Sequence, residues 1–191
     1  MAGSSATSTA RRAEWTAAAT DYVLEHGLIT LSLRPLGAAL GTSDRMLLYH
    51  FGTKDHLVAA VMRASNDRAC AAISALPGSS DVGAAVHDLW SAMAHPDIGP
   101  CVRMYVEAAA LGLLGREPYA SVVREANKVW TEAVVAHFVK SGARELLARR
   151  VADVVDAAFM GFQLDLPLDL DPADRAAKVA DLAAAVVALA T

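Results

Sequence analysis

The stretch that decides the reading is Gly41–Val58, GTSDRMLLYHFGTKDHLV. It opens with a turn residue and a hydroxyl cap, runs through Met46-Leu47-Leu48-Tyr49-His50-Phe51, and breaks again at Gly52-Thr53. A helix of about eight residues does not hold by itself, because nucleation costs more than a few backbone hydrogen bonds return. Packing must hold it, and a helical wheel indicates how. With Leu47 as the inward direction and about 100° per residue, Phe51 lies about 40° away and also points inward. Arg45 and Tyr49 fall about 160° from Leu47 on either side, so they point out. Met46 and Leu48 take opposite flanks, and His50 leans partly inward. The segment has a two-residue anchor and a projecting Arg–Tyr face.

Its neighbours supply the support. Ser32 is placed to cap a helix over 33–40, in whose first turn Pro35 is tolerated. Leu33, Leu36 and Leu40 line one side of it, and Gly41 closes it. Ser43 caps the short helix, and Thr53 caps another beginning near Lys54, where Leu57, Val61 and Ala64 recur at helical spacing. Upstream, Trp15, Ala19, Tyr22, Val23 and His26 form one apolar face of a helix over 10–26. Two short helices joined by a Gly-containing turn make a helix-turn-helix, here 33–40 and 44–50, with 10–26 and 54–75 to brace it. The projecting face suits a DNA groove. Arg45 can donate two hydrogen bonds to guanine O6 and N7, and the Tyr49 hydroxyl can reach a phosphate or base edge. The helix N-terminus beside Thr42 and Ser43 offers backbone N–H groups to a phosphate, and Lys54 can neutralise another.

Residues 11–58 resemble the DNA-binding domain of the TetR (tetracycline repressor) family of bacterial transcription regulators. The resemblance rests on Gly27 after the first helix, the Ser32 cap, and the small-residue second helix Leu36-Gly37-Ala38-Ala39-Leu40-Gly41. It continues through Ser43, Leu47, His50, Phe51, Lys54, Asp55 and Leu57, in the family's order and spacing. Three positions depart. Leu36-Gly37 replaces the usual Ile-Ala, and Gly weakens a helix by about 1 kcal/mol relative to Ala. Thr42 replaces a common Val. Leu48 stands where the family has a Tyr that contacts phosphate, while Tyr49 fills the next, variable position. The candidate DNA-contacting set is Arg34, Thr42, Ser43, Asp44, Arg45, Met46, Tyr49, His50 and Lys54. The resemblance implies a homodimer on a palindromic double-stranded operator, a repressor role, and release by a small apolar effector.

The rest of the chain agrees with an all-α fold of about nine helices. The hydrophobic fraction is 54% with only 6% aromatic. Its apolar content is therefore largely Ala, Leu and Val, which favours packed helices. Gly and Pro breaks divide it into nine helical segments and no alternating strand. Met1–Ala10, MAGSSATSTA, lacks the apolar core of a secretory signal. The expected organisation is a disordered arm over 1–9, a helix-turn-helix DNA-binding domain over 10–56, and a helical effector-binding and dimerisation domain over 57–191. The Pro77-Gly78-Ser79-Ser80 run is a further expected hinge. Apolar runs near 108–114 and 182–190 are shorter than the roughly 20 residues of a membrane span, so no membrane association is expected. Two cysteines, Cys70 and Cys101, imply neither a disulfide framework nor a zinc site, and the expected location is the cytoplasm. Charge is nearly balanced at −4, with six Lys and Arg against five Asp and Glu in residues 1–63.

In 144–163, Leu147, Val151, Val154, Val155, Ala158 and Phe162 form a stripe. In 172–190, Val179, Leu182, Val186 and Leu189 repeat at the spacing of a helix–helix seam. Leu147, Val151, Val155, Phe162, Leu182, Val186 and Leu189 are accordingly the expected dimer interface. A ligand cavity between helices is apolar with a few polar groups, and Trp90, Met104, Tyr105, Trp130 and Phe159 are the expected effector-binding residues. No cofactor or metal is expected. An enzyme is one rival reading, but His50, His56, His87 and His95 make no His-Glu-x-x-His spacing, and no phosphate loop or nucleophile elbow occurs. A helical protein-interaction module, in which the Arg45–Tyr49 face meets protein, is the other.

Overall fold

Nine α-helices and one 3-10 turn account for the regular structure among the described residues. The structure is a computed structural model that describes residues 2–168 and 171–190, with side chains from residue 9 onward. The helices are α1 (Ala2–His26), α2 (Leu33–Ala39), α3 (Asp44–Phe51), α4 (Lys54–Ala75), α5 (Val82–Ala94), α6 (Gly99–Leu113), α7 (Tyr119–Lys140), α8 (Glu145–Leu164) and α9 (Pro172–Ala190), with the 3-10 turn at Leu166–Leu168. Most bounds fall within a residue or two of the segments expected from turn residues. The physical reason is local: Gly27 and Gly52 take φ of +87° and +84°, where a side chain would be strained, so the helices end there.

The N-terminus departs from expectation. Helix α1 is helical from Ala2, whereas residues 1–9 read as a disordered arm; Met1 lies outside the described residues. After Gly3 the segment contains no helix breaker, and its small residues extend the turn already set by Arg11–His26.

The chain divides into two units that do not follow a single linear boundary. The first comprises residues up to 68 together with 100–126, and the second 69–99 together with 127 onward. A cut at residue 56, or at Pro77–Ser80, would therefore separate residues that share a core. Met104, Ala108 and Val122 are buried in the same cluster as Trp15, Val23, Leu36, Leu47, Phe51 and Leu57. Side-chain bonds join the same elements. The Glu107 carboxylate on α6 accepts the Leu28 and Ile29 N–H groups, both at 2.7 Å, which fastens the turn after α1. Arg63 on α4 donates to Glu125 on α7 at 2.9 Å, and Arg68 reaches Asp21 on α1.

In the second unit α9 packs on α5 and on α8. Leu89 and Met93 of α5, Val151 and Val155 of α8, and Val179 and Val186 of α9 are all buried. Lys140, at the end of α7, donates to the carbonyls of Ser74 and Leu76, satisfying the open C-terminal end of α4. His137 on α7 is fully buried; its Nε2 lies 3.4 Å from Ser79 Oγ, and Nδ1 is a buried atom lacking a hydrogen-bond partner. Burial holds its pKa below the ordinary histidine value.

Candidate nucleic-acid interface and aromatic cavity

Helix α3 is built from its cap inward. Ser43 has extended backbone geometry, and its hydroxyl accepts the Met46 N–H at 3.2 Å. Thr53 does the same for α4, accepting the His56 N–H at 3.1 Å. Ser32 stands at the N-cap of α2, but its side chain makes no capping bond. Leu47 and Phe51 are 1% and 3% exposed and anchor α3 in the first unit's core. Tyr49 is 78% exposed and Arg45 is exposed, while Met46 and Leu48 are partly exposed on the flanks. The wheel's division into anchor and outward face is the one observed.

The close approach of α2 to α3 accounts for Gly37. A Cβ there would meet the backbone of Thr42, Ser43 and Asp44 at 3.1–3.2 Å, tighter than side chains ordinarily pack. The small loss of helix propensity is offset by the contact it permits.

The remaining candidates divide. Arg34 is exposed and Thr42 half-buried, its N–H bonded to the Gly37 carbonyl. His50 is half-buried and edge-on to Trp15 at 4.8 Å, so it packs α3 on α1. Lys54 Nζ donates to the Leu31 carbonyl at 2.6 Å and braces the loop before α2. The α3 N-terminus is less open than expected. Asp44 Oδ1 accepts the Arg45 N–H at 2.8 Å and Ser43 takes that of Met46, so two of the first-turn donors are occupied. A carboxylate there also stabilises the positive end of the helix dipole by itself.

Sequence reasoning passed over Arg11 and Arg12. Their guanidinium groups lie over the rings of Trp15 and Phe51, at 5.9 and 5.3 Å from the centroids, which brings Arg12 beside the α3 anchor Phe51 and keeps Arg11 on α1, where it also pairs with Glu14 at 3.8 Å. The available signal was their position one turn ahead of Trp15 on the α1 face.

The expected effector residues do not share one unit. Met104 is buried in the first unit's core, and Tyr105 belongs to that unit. Trp90, Trp130 and Phe159 all belong to the second, where Phe159 packs on Trp90 and borders one cavity with Trp130. The Trp90 ring stands 5.2 Å from Phe159 and 5.7 Å from Phe162, between centroids. Trp130 Nε1–H donates to Asp156 Oδ1 at 2.9 Å. Between Leu89, Trp130, Val134, Val155, Asp156 and Phe159 lies a cavity of only 10 Å³, room for about one water. Burial raises the Asp156 pKa; the Trp130 hydrogen bond opposes that shift and the Asp153 charge adds to it. Asp156 was absent from the sequence candidates because an Asp in a helix reads as solvated. A larger groove of 610 Å³ borders the end of α4 and α5, lined in part by Leu76, Asp88, Ala92 and Ile98.

Three of the expected dimer residues are corrected by burial. Val151, Val155 and Val186 are at most 1% exposed within the single chain, so they have no surface to offer a partner. Leu147, Phe162, Leu182 and Leu189 are half-buried. The outward apolar residues of the same helices are instead Leu146, at 95% exposure, with Val154 and Leu164 on α8 and Val187 on α9.

The fold is similar to several solved structures. A transcriptional regulator from Rhodococcus sp. Rha1 superposes with TM-score 0.70 at 19% identity, covering 93% of this chain and 96% of that one. The multidrug binding protein EbrR, complexed with proflavin, gives 0.68 at 24% identity over 94% and 99%. A TetR-family regulator from Streptomyces coelicolor gives 0.65 at 17% identity over 95% and 80%. No protein-family model matches the sequence, and no curated protein matches it. The described residues have the all-α fold of TetR-family transcriptional regulators.

Proposed function

We propose that this chain is a TetR-type transcriptional regulator that binds operator DNA as a homodimer and acts as a repressor in the cytoplasm. The observation that carries the reading is α3, with Leu47 and Phe51 sunk in the core and Arg45 and Tyr49 held outward. Arg45 reads a base edge in the major groove, and Tyr49 reaches a base or phosphate in place of the family tyrosine that Leu48 lacks. Arg34, Thr42, Met46 and the basic pair Arg11 and Arg12 border that contact, and Ser43, Asp44, His50 and Lys54 hold its geometry. The DNA-binding part is the helix-turn-helix of residues 10–56, and the effector and dimer functions lie in 57–191. Two recognition helices about 34 Å apart then meet successive major grooves of a palindrome.

The dimer surface in this reading is the outward stripe of α8 and α9, with Leu146, Val154, Leu164 and Val187 meeting their symmetry mates. A small-molecule effector enters the cavity between Trp130 and Phe159, where Trp90 packs on Phe159, and favours a conformation of lower DNA affinity. Support comes from EbrR, a multidrug binding protein of the same fold that is complexed with proflavin.

The test begins with DNA selected from a random pool on the full chain. Arg45→Ala/Tyr49→Ala is expected to lose at least about tenfold in affinity for that DNA, with helicity and oligomeric state retained. Undiminished binding by the double variant would sink the reading and favour a protein-interaction role for this face.

A further inference from the structure

Asp156 is a poor choice for stability and a good one for a ligand. It sits on α8 beside an aromatic wall and lines the cavity described above. One hydrogen bond, from Trp130, is the polar contact observed for its carboxylate, and no ion pair engages it among the described residues. Arg149, two turns earlier on α8, is committed to Glu132 on α7. Asp153, one turn earlier, is of the same sign and makes ionisation of Asp156 harder still. Asp156 is half-buried, and a carboxylate partly withdrawn from water without a cation costs stability, whereas an asparagine would accept the same Trp130 hydrogen bond without that cost. The neighbouring rings sharpen the preference. Phe159 borders the same cavity as Asp156, Trp90 and Phe162 pack on Phe159 at 5.2 and 6.4 Å between centroids, and the faces of such rings favour positive charge.

We infer that the Asp156 carboxylate and the Trp90–Phe159–Phe162 wall form a binding site for small organic cations that carry an aromatic or alkyl group beside a quaternary or tertiary nitrogen. The carboxylate neutralises the charge, and the rings replace the water stripped from the alkyl groups around the nitrogen. This rests on the proposal that the second unit holds the effector site, and adds the chemical class that the site selects. As it stands the cavity accepts about one water, so a ligand must part the rings. Trp90, Trp130 and Phe162 are only half-buried and can move outward, whereas Phe159 is fixed in the core. Binding then changes how α5 and α8 meet through these rings, which makes ligand affinity depend on conformation.

Two probes separate charge from shape: benzyltrimethylammonium, and neopentylbenzene, which replaces the nitrogen with carbon and is otherwise isosteric. Calorimetric titration of the full chain is expected to give at least about tenfold tighter binding of the cation. Asp156→Asn, which keeps the acceptor for Trp130, should abolish that preference and leave the neutral probe bound as before. Near-ultraviolet circular dichroism of Trp130 checks that the variant retains its packing. Equal binding of the two probes, a preference that survives in Asp156→Asn, or no binding of the cation would each overturn the inference. Asp156-dependent cation binding that leaves operator affinity unchanged would uphold the site while removing its role as an effector switch.

Discussion

Helices α3 and α9 each bury one stripe and expose another, yet only α3 could be oriented from its residue types. In α3 the buried Leu47 and Phe51 stand opposite Arg45 and Tyr49, so the contrast between anchor and outward face is large. In α9 the buried Val179, Ala183 and Val186 stand opposite the exposed Ala177, Ala184 and Ala188, with Ala180 and Val187 on the flank between, so apolar residues run most of the way round. Hydrophobic periodicity assigns a direction only where polarity differs around the helix. In an Ala-rich helix the choice passes to whatever packs against it, here α5 and α8.

The sharpest way to break this comparison uses two adjacent residues of α9. Val186→Asp leaves a charge with no partner in the second unit's core and is expected to destabilise the chain by roughly 3–5 kcal/mol in urea unfolding. Val187→Asp, on the half-exposed side, is expected to change single-chain stability by no more than about 0.5 kcal/mol. Under the proposed function it nonetheless dissociates the dimer, which sedimentation reads independently. Similar destabilisation by both variants would mean that α9 is packed on both sides within one chain.

A smaller effect is expected in α3. Leu47→Ala removes a buried anchor and should cost about 2–5 kcal/mol, whereas Leu48→Ala beside it should cost less than about 1 kcal/mol. Thermal unfolding of the two variants compares them directly. If Leu48→Ala were the more damaging, the assigned orientation of α3 would be wrong.

The smallest expected effect distinguishes the second unit by its response to acid. His137 is buried neutral, and its pKa lies below the ordinary value of about 6.5. Above about pH 6.5 neither folded nor unfolded chain binds a proton there, so its contribution is fully present. As pH falls through that value toward the lowered folded pKa, the unfolded chain binds the proton first, and stability declines. Unfolding at pH 7.5 and 5.5 should show this loss in the native sequence, and His137→Gln should reduce it. An unchanged pH dependence in the variant would assign the acid sensitivity to other groups.

What could be read without the structure was local. Ser43, Thr53, Gly27 and Gly52 act within a turn of where they stand, so helix ends and the helix-turn-helix followed from spacing. The Leu47–Phe51 anchor was legible for the same reason, since both faces of α3 are defined within eight residues. The expected boundary at residue 56 had no such local basis. Met104, Ala108 and Val122 join the core of Trp15 and Leu47 through contacts far apart in the chain. The five expected effector residues failed to converge on the same ground: aromatic and Met side chains mark burial, but not which buried cluster they enter.

The sequence by itself determined the all-α class, the order of the helices and their ends other than the start of α1, and the outward Arg45–Tyr49 face, because capping, glycine conformation and polar contrast act over a few residues. Tertiary structure alone decided that Val151, Val155 and Val186 belong to the core, that Lys54 braces the Leu31 carbonyl, and that Asp156 lies among rings with Trp130 as its donor. Each of those outcomes depends on which distant segment occupies the other side of a helix, and an apolar or charged residue type is compatible with more than one such neighbour.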